Sequence, residues 1–214
     1  MKLKALAEAV MWLPGFAPDE DPIEVLGVAG ERREAEVILF PEGRAATAAK
    51  SVWPHLDGSV FAGLAGDVTK FEANLTAIEL LRRLEAEHLH PTADECAVLN
   101  RYTGWGGLPQ AFNLDQRDRS WGARAERLKG LLTAAEHKSA EASTPNAHYT
   151  SLEVIEAMWA MVRRLGFKGG RILEPAAGVG YFLGAMPEEV ARNSRVTAIE
   201  LDDLSACVLR ALYG

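Results

Sequence analysis

Apolar residues recur every three or four positions from Phe71 through Leu75, Ile78, Leu80 or Leu81, and Leu84, a spacing that predicts an amphipathic helix ending near His88. A second helix is predicted to start at Thr92-Ala-Asp-Glu95, a capping box just after Pro91, and to run through Val98 and Leu99 toward Tyr102. A third takes Thr150 and Glu153 as its capping box, carries Leu152, Ile155, Trp159, Val162 and Leu165 on one stripe, and stops at Gly166. The period then changes. Ile172 and Leu173 begin a short buried strand, Gly178 and Gly180 mark a turn into another helix, and Arg195-Val-Thr-Ala-Ile-Glu-Leu-Asp202 reads as a second strand ending in an acid. Upstream, Lys2–Pro14 reads as a short amphipathic helix stopped by its proline. Ile23–Val28 and Ala35–Phe40 read as a hairpin across Gly30–Glu34, and residues 41–69 as loop with one short helix around Arg44–Val52. The expected class is α/β: a helical N-terminal region followed by the opening strand–turn–helix–strand of a Rossmann-like domain. The expected segments are residues 1–69, 70–142 and 143–214.

With 214 residues and 48% hydrophobic content, the chain can bury a substantial core. The 23 Lys+Arg against 30 Asp+Glu give a net charge of −7, which counts against these residues alone gripping a phosphate backbone. Cys96 and Cys207 lack any CxxC partner, so both are expected to be small core residues in a reducing compartment, and the five histidines show no metal-ligand spacing. No stretch approaches the ~20 apolar residues of a membrane span, and Lys2–Pro14 lacks a cleavage site, so a cytoplasmic location is expected. Arg117, Arg119, Arg124, Arg127 and Lys129 alternate with Asp115, Asp118 and Glu126, the pattern of a solvated helix face.

Candidate chemistry concentrates in the last third. Glu200 lies twenty residues beyond Gly180, close to the interval at which an acid after the second strand of a Rossmann-like unit accepts from ribose hydroxyls. Glu174, at the end of the first strand, would repel the pyrophosphate of a dinucleotide but suits the sulfonium and ammonium of S-adenosylmethionine. The roles that follow place Glu174 toward the methionine moiety, Gly178 and Gly180 along its path, Glu200 on the ribose and Leu201 beside the adenine. The competing reading is an ordinary βαβ turn with surface acids. The N-terminus of the helix that starts near Thr150 could face the ligand's carboxylate, while His148 and Tyr149 read equally as packing residues. In Arg101-Tyr-Thr-Gly-Trp-Gly-Gly-Leu-Pro109, Trp105 either offers a stacking face or caps the core, the latter being favoured. The paired helices before it read as a packing hairpin, because a DNA-reading helix would not open with Asp94 and Glu95.

The order His148-Tyr-Thr-Ser151, helix, Ile172-Leu-Glu-Pro-Ala-Ala-Gly-Val-Gly-Tyr-Phe-Leu183, Ile199-Glu-Leu-Asp202 resembles the DNA methyltransferases that act on the amino group of adenine. The stretch Asn74 to Leu108 resembles more narrowly the large methyltransferase–helicase fusions of phages and mobile elements, and together the two cover about residues 70–214. The resemblance implies that Tyr149 and Thr150 touch the cofactor, although Ser151 stands where the family has proline. It maps Glu174, Ala176, Gly178, Gly180, Glu200 and Leu201 onto the family's cofactor residues. It also implies DNA as the partner of the complete enzyme, together with the C-terminal remainder of the methyltransferase and a helicase domain. The family's catalytic Asn/Asp-Pro-Pro-Tyr/Phe tetrapeptide is nowhere in this sequence, so no catalytic residue is assigned and a cofactor-binding fragment inactive on its own is expected. The rival expectations are a methyltransferase acting on RNA or protein, and a noncatalytic remnant acting as an interaction protein.

Overall fold

The computed structural model describes residues 36–40, 54–113 and 119–214. The helix expected over Lys2–Pro14, the strand Ile23–Val28 with its turn, the helix around Arg44–Val52, and residues Asp115, Arg117 and Asp118 lie outside the described residues.

Helices pack against a small mixed sheet of β1 (Glu36–Phe40), β2 (Arg171–Glu174) and β3 (Arg195–Glu200), in the order β1-β3-β2. This is an α/β arrangement in the coarse sense. β2 is not the buried strand expected, because it ends the sheet among the described residues, with Ile172 half-buried and Leu173 37% exposed. β2 and β3 run parallel, with Ile172 opposite Val196 and Leu173 opposite Thr197. Parallel pairing demands a crossover, which α6 (Tyr181–Gly184) and α7 (Glu188–Arg192) supply. Of the strand expected at Ala35–Phe40, the described residues Glu36–Phe40 form β1, and its partner among the described residues is β3, antiparallel, with Val37 opposite Ile199 and Phe40 opposite Val196.

α1 (Asp67–Glu87) begins before Phe71, where the apolar period starts, because Gly66 takes the left-handed φ of 85° that turns the chain into it. Its buried stripe is Phe71, Leu75, Ile78, Leu81 and Leu84; Leu81 is buried, and Leu80 packs half-buried against the same core. His88 closes the helix in the left-handed conformation. The Thr92–Glu95 capping box forms at the start of α2 (Ala93–Leu99), and Glu95 also pairs with Arg83 of α1, so the two helices form a packed hairpin. A second box, Thr133–Glu136, opens α4 (Ala134–Ser143), and Glu136 pairs with Arg82. On α3 (Arg119–Leu131), Arg124 and Arg127 reach Glu72 at 3.3 and 2.9 Å, so these two cations fasten α3 to α1 instead of simply facing solvent.

Two expectations for α5 (Leu152–Arg164) are corrected. Ser151, not Thr150, is the residue at its N-cap, so the Thr150–Glu153 box does not form. Leu165 does not extend the buried stripe: it is 81% exposed, because it sits at the C-cap and Gly166 (φ 92°) then reverses the chain, with the Phe167 N–H donating to the Val162 carbonyl. The last helix, α8 (Asp203–Tyr213), starts at an Asp202 N-cap that accepts from the Ser205 N–H.

One continuous apolar core runs from Leu56 to Tyr213, joining the segments 70–142 and 143–214. Trp105 lies at its centre, fully buried and edge-on to Phe71, Tyr102 and Phe112. It therefore serves the core. Cys96 and Cys207 are free and half-buried, and burial pushes the Cys207 thiol up to about 11. No described helix is long and apolar enough to cross a membrane. Asn74 is buried on α1. Its amide donates to the Gly104 carbonyl (2.6 Å) and its oxygen accepts from the Thr103 N–H (2.8 Å), pinning the turn beside Trp105.

Trp105→Ala should cost about 3–5 kcal/mol by opening a cavity, and Asn74→Ala about 1–3 kcal/mol by leaving buried backbone groups unpaired. Urea unfolding followed by circular dichroism reads both. A Trp105→Ala protein as stable as the parent would contradict the central place given to this ring.

Candidate functional site

The chain leaves β2 at Glu174, passes Pro175 and Ala176, and returns beside β3 as the Ala177 N–H donates to the Ile199 carbonyl. Gly178 (φ 54°) and Gly180 (φ 90°) then turn it into α6. Glu200, the last residue of β3, gathers this turn. Its Oε2 accepts from the Gly178 N–H (2.6 Å), and its Oε1 accepts from the N–H groups of Leu201 and Asp202 (2.8 Å each). Burial nonetheless raises the Glu200 carboxyl above the ordinary glutamate range, because desolvation outweighs the amides that stabilise its charge. Asp202 accepts through Oδ2 from both the N–H and the hydroxyl of Ser205 (2.9 and 2.7 Å), and through Oδ1 from the Ser139 hydroxyl of α4 (3.3 Å).

A cavity of about 310 Å³ opens between this turn, the end of β3, α4 and the segment 146–150, at the small end of ligand-site sizes. Of the residues singled out from the sequence, Tyr149, Thr150, Ala176, Gly178, Glu200 and Leu201 line it. Glu174 and Gly180 do not. The Glu174 carboxylate is half-buried at the end of β2 and accepts from the Ala176 N–H (3.3 Å), with burial raising its pKa. Gly180 is required by packing: besides its positive φ, a Cβ there would come within 2.6 Å of Leu209 and Tyr213 on α8.

Tyr149 explains the glycines on both sides of the cavity wall. Its ring fills the space where Gly178 and Gly104 would carry side chains, with Cβ positions 2.6 and 2.8 Å from ring atoms, and both glycines have positive φ. A Cβ on Gly106 would likewise collide with the Ala147 carbonyl. The glycine-rich turn after Tyr102 therefore admits the segment 147–149. The Tyr149 hydroxyl meets Ser205 at 3.3 Å, and burial holds it well above the ordinary tyrosine range. His148 is exposed, with Nε2 3.1 Å from the Pro145 carbonyl.

Sequence reasoning missed the contributions of Ser139, Ser143, Asp202 and Ser205 to the wall. The spacing of Asp202 and Ser205 is a recognisable helix-capping signal, but nothing local to Ser139 links α4 to the end of β3. The acidic groups of the wall are Glu200 and Asp202, His148 also lines it, and among the described residues neither Lys nor Arg does. Such a wall suits a cationic ligand rich in hydroxyl or amine donors and opposes a phosphate. Among the described residues no cluster of His, Cys, Asp and Glu could hold a metal ion. No family model, curated protein or solved structure matches the chain.

Gly178→Ala should cost about 1–3 kcal/mol from the positive φ and the Tyr149 contact, read as a lowered unfolding midpoint. Because the folded-state pKa of Glu200 is raised, the folded protein holds its proton more tightly than the unfolded chain does. Stability should therefore fall as pH rises from the ordinary glutamate range through the folded pKa. Glu200→Gln should flatten that fall while lowering stability throughout, since an amide NH₂ cannot accept from the N–H groups that the carboxylate gathers. Urea titrations across pH 4–7, a range that brackets about the ordinary glutamate pKa, compare the two slopes. Identical slopes would exclude Glu200 as their source.

Proposed function

We propose that these residues form the S-adenosylmethionine-binding part of a DNA methyltransferase acting on the exocyclic amino group of adenine, built on the opening of a Rossmann-like domain. The observation that carries the cofactor is the cavity at the carboxyl ends of the parallel strands β2 and β3, walled by Glu200 and Asp202 with no Lys or Arg among the described lining residues. The crevice beyond the carboxyl ends of parallel strands is where open α/β sheets bind ligands. A sulfonium and an ammonium suit this wall, whereas a dinucleotide's pyrophosphate does not. The residues present fit the group: Glu200 would accept from the ribose hydroxyls, Leu201 would offer an apolar surface to the base, and Thr150 stands just before α5, whose positive dipole end suits a carboxylate.

The cofactor supplies an activated methyl group, and the chain's own residues hold and orient the donor. Adenine in DNA as the acceptor rests on the resemblance of residues 74–108 and 148–202 to that family. The −7 charge fits a protein whose grip on DNA comes from elsewhere. The missing Asn/Asp-Pro-Pro-Tyr/Phe segment would supply the acceptors for the amine and the stacking surface for the flipped base. These 214 residues accordingly bind the donor without transferring its methyl group.

Titration calorimetry should detect weak binding of S-adenosylmethionine and none of a nicotinamide dinucleotide. Glu200→Ala should weaken binding about tenfold or more, the loss expected for hydrogen bonds to a charged acceptor. Affinity for the cation should increase as pH rises through the raised Glu200 pKa, where the carboxylate gains its charge. Equal affinity for the dinucleotide, or binding unchanged in Glu200→Ala, would remove the cofactor assignment. Incubation with tritiated cofactor and mixed-sequence DNA should leave the DNA unlabelled. Label in adenine, abolished by Gly178→Trp, would place a catalytic group within these residues.

A further inference from the structure

We propose that the outward face of α5 is the contact between two copies of this chain, packed as an antiparallel helix pair about a two-fold axis. The inference does not depend on what the cavity binds. Val154, Met158, Met161 and, at the C-cap, Leu165 recur at intervals of four, three and four residues, and all are 43–81% exposed. At about 100° per residue they fall within an arc of about 60°. The inner stripe of Leu152, Ile155 and Trp159 already meets the core, with the Trp159 Nε1–H donating to the Phe182 carbonyl (3.0 Å). The outer stripe is thus a second apolar seam on a helix that is packed without it. A seam this narrow, with strict three-and-four spacing, is the one by which a helix packs along another helix, whereas a face laid on a broad core is wider.

The residues beside the seam identify the partner as a second copy. Glu153, Ala157, Ala160 and Arg164 form an adjoining exposed stripe with the same spacing. Run in opposite directions, the two stripes complement themselves. A two-fold axis near residue 159 sets Val154 against the partner's Leu165, Met158 against the partner's Met161, and Ala157 against the partner's Ala160, where small side chains let the helices approach. It also brings Glu153 to the partner's Arg164 at both ends of the contact, whereas a parallel pair would set like charges together. Glu153 keeps its charge, since its own N–H and the Ser151 hydroxyl hold its carboxyl below the ordinary glutamate range. Arg163 pairs with Glu189 (3.8 Å), but Arg164 has no ionic partner among the described residues. The 13 residues of α5 span about 20 Å, so the pair covers less than the about 800 Å² per partner of a standard interface. The dimer is accordingly weak, with a dissociation constant no tighter than about 1 μM.

Sedimentation of the parent chain over a range of concentrations should show a reversible monomer–dimer equilibrium. Met161→Glu should weaken it by about tenfold or more, because two carboxylates would enter the seam. Glu153→Arg and Arg164→Glu should each weaken it by about threefold or more, since either change sets like charges together at both ends. An equimolar mixture of those two variants should associate more tightly than either variant alone, because every Arg at the ends then meets a Glu. All three positions are exposed, so circular dichroism should show each variant folded as the parent is. Recovery in the mixture is a result that neither general loss of structure nor unspecific adhesion would give. A parent chain that stays monomeric well above the expected constant would overturn the proposal; a lowered unfolding midpoint in Met161→Glu would then assign the face to another part of the same chain. Association that survives Met161→Glu, or a mixture no tighter than its components, would overturn it equally, by placing the contact elsewhere or in another alignment.

Discussion

The ring of Tyr149 lies against Gly104 on one side and Gly178 on the other, a fit possible because both positions lack a side chain. Gly104 belongs to the turn that Asn74 pins to α1, and Gly178 to the turn between β2 and α6. Tyr181, at the start of α6, adds to the joint by donating its hydroxyl hydrogen bond toward the carbonyls of Asn100 and Tyr102. The helical part of the chain is thus more than a neighbour of the glycine turn. It holds the segment 146–150 in place and, through α4, supplies a wall of the cavity. A substitution in the turn 102–107 is then felt at the candidate site through packing, at a distance from any ligand.

Charge is the second constraint. Glu200 spends its carboxylate on the amides of Gly178, Leu201 and Asp202, while Asp202 spends most of its own on Ser205 and Ser139. These bonds rigidify the end of β3, but they leave two neighbouring acids with no Lys or Arg among the described residues of the cavity wall, and burial already strains the charged form of Glu200. An arrangement of this kind is relieved by a ligand that brings positive charge and donors. That is the physical argument for a sulfonium nucleoside over a phosphorylated one, and it stands on Glu200 and Asp202. Glu174, which suggested the same preference from the sequence, lies outside the lining.

Features that depend on a few consecutive residues were legible in advance. The Thr92–Glu95 box, the apolar stripe of α1, the strand–glycine–strand order and the position of Glu200 all follow from short-range rules of period, capping and backbone freedom. The same rules misplaced the start of α5 by one residue, since Thr150 and Ser151 are both good caps and the path of the segment 146–150 decides between them. They also extended the α5 stripe to Leu165, where Gly166 turns the chain away from the core.

The amino-acid sequence by itself determined that helices precede a strand–turn–helix–strand unit, that its turn requires glycine, and that an acid ends its second strand. It could not determine which glycine lines the cavity and which lies beneath α8, because Gly178 and Gly180 look alike until Tyr149 and α8 are brought against them. Nor could it join Ser139 to Asp202 or β1 to β3, contacts between residues far apart in the chain whose local sequences carry no sign of each other. Those approaches were decided when the continuous core formed, since burying Trp105, Ile155 and the inner face of α8 together leaves few ways to place the loops between them.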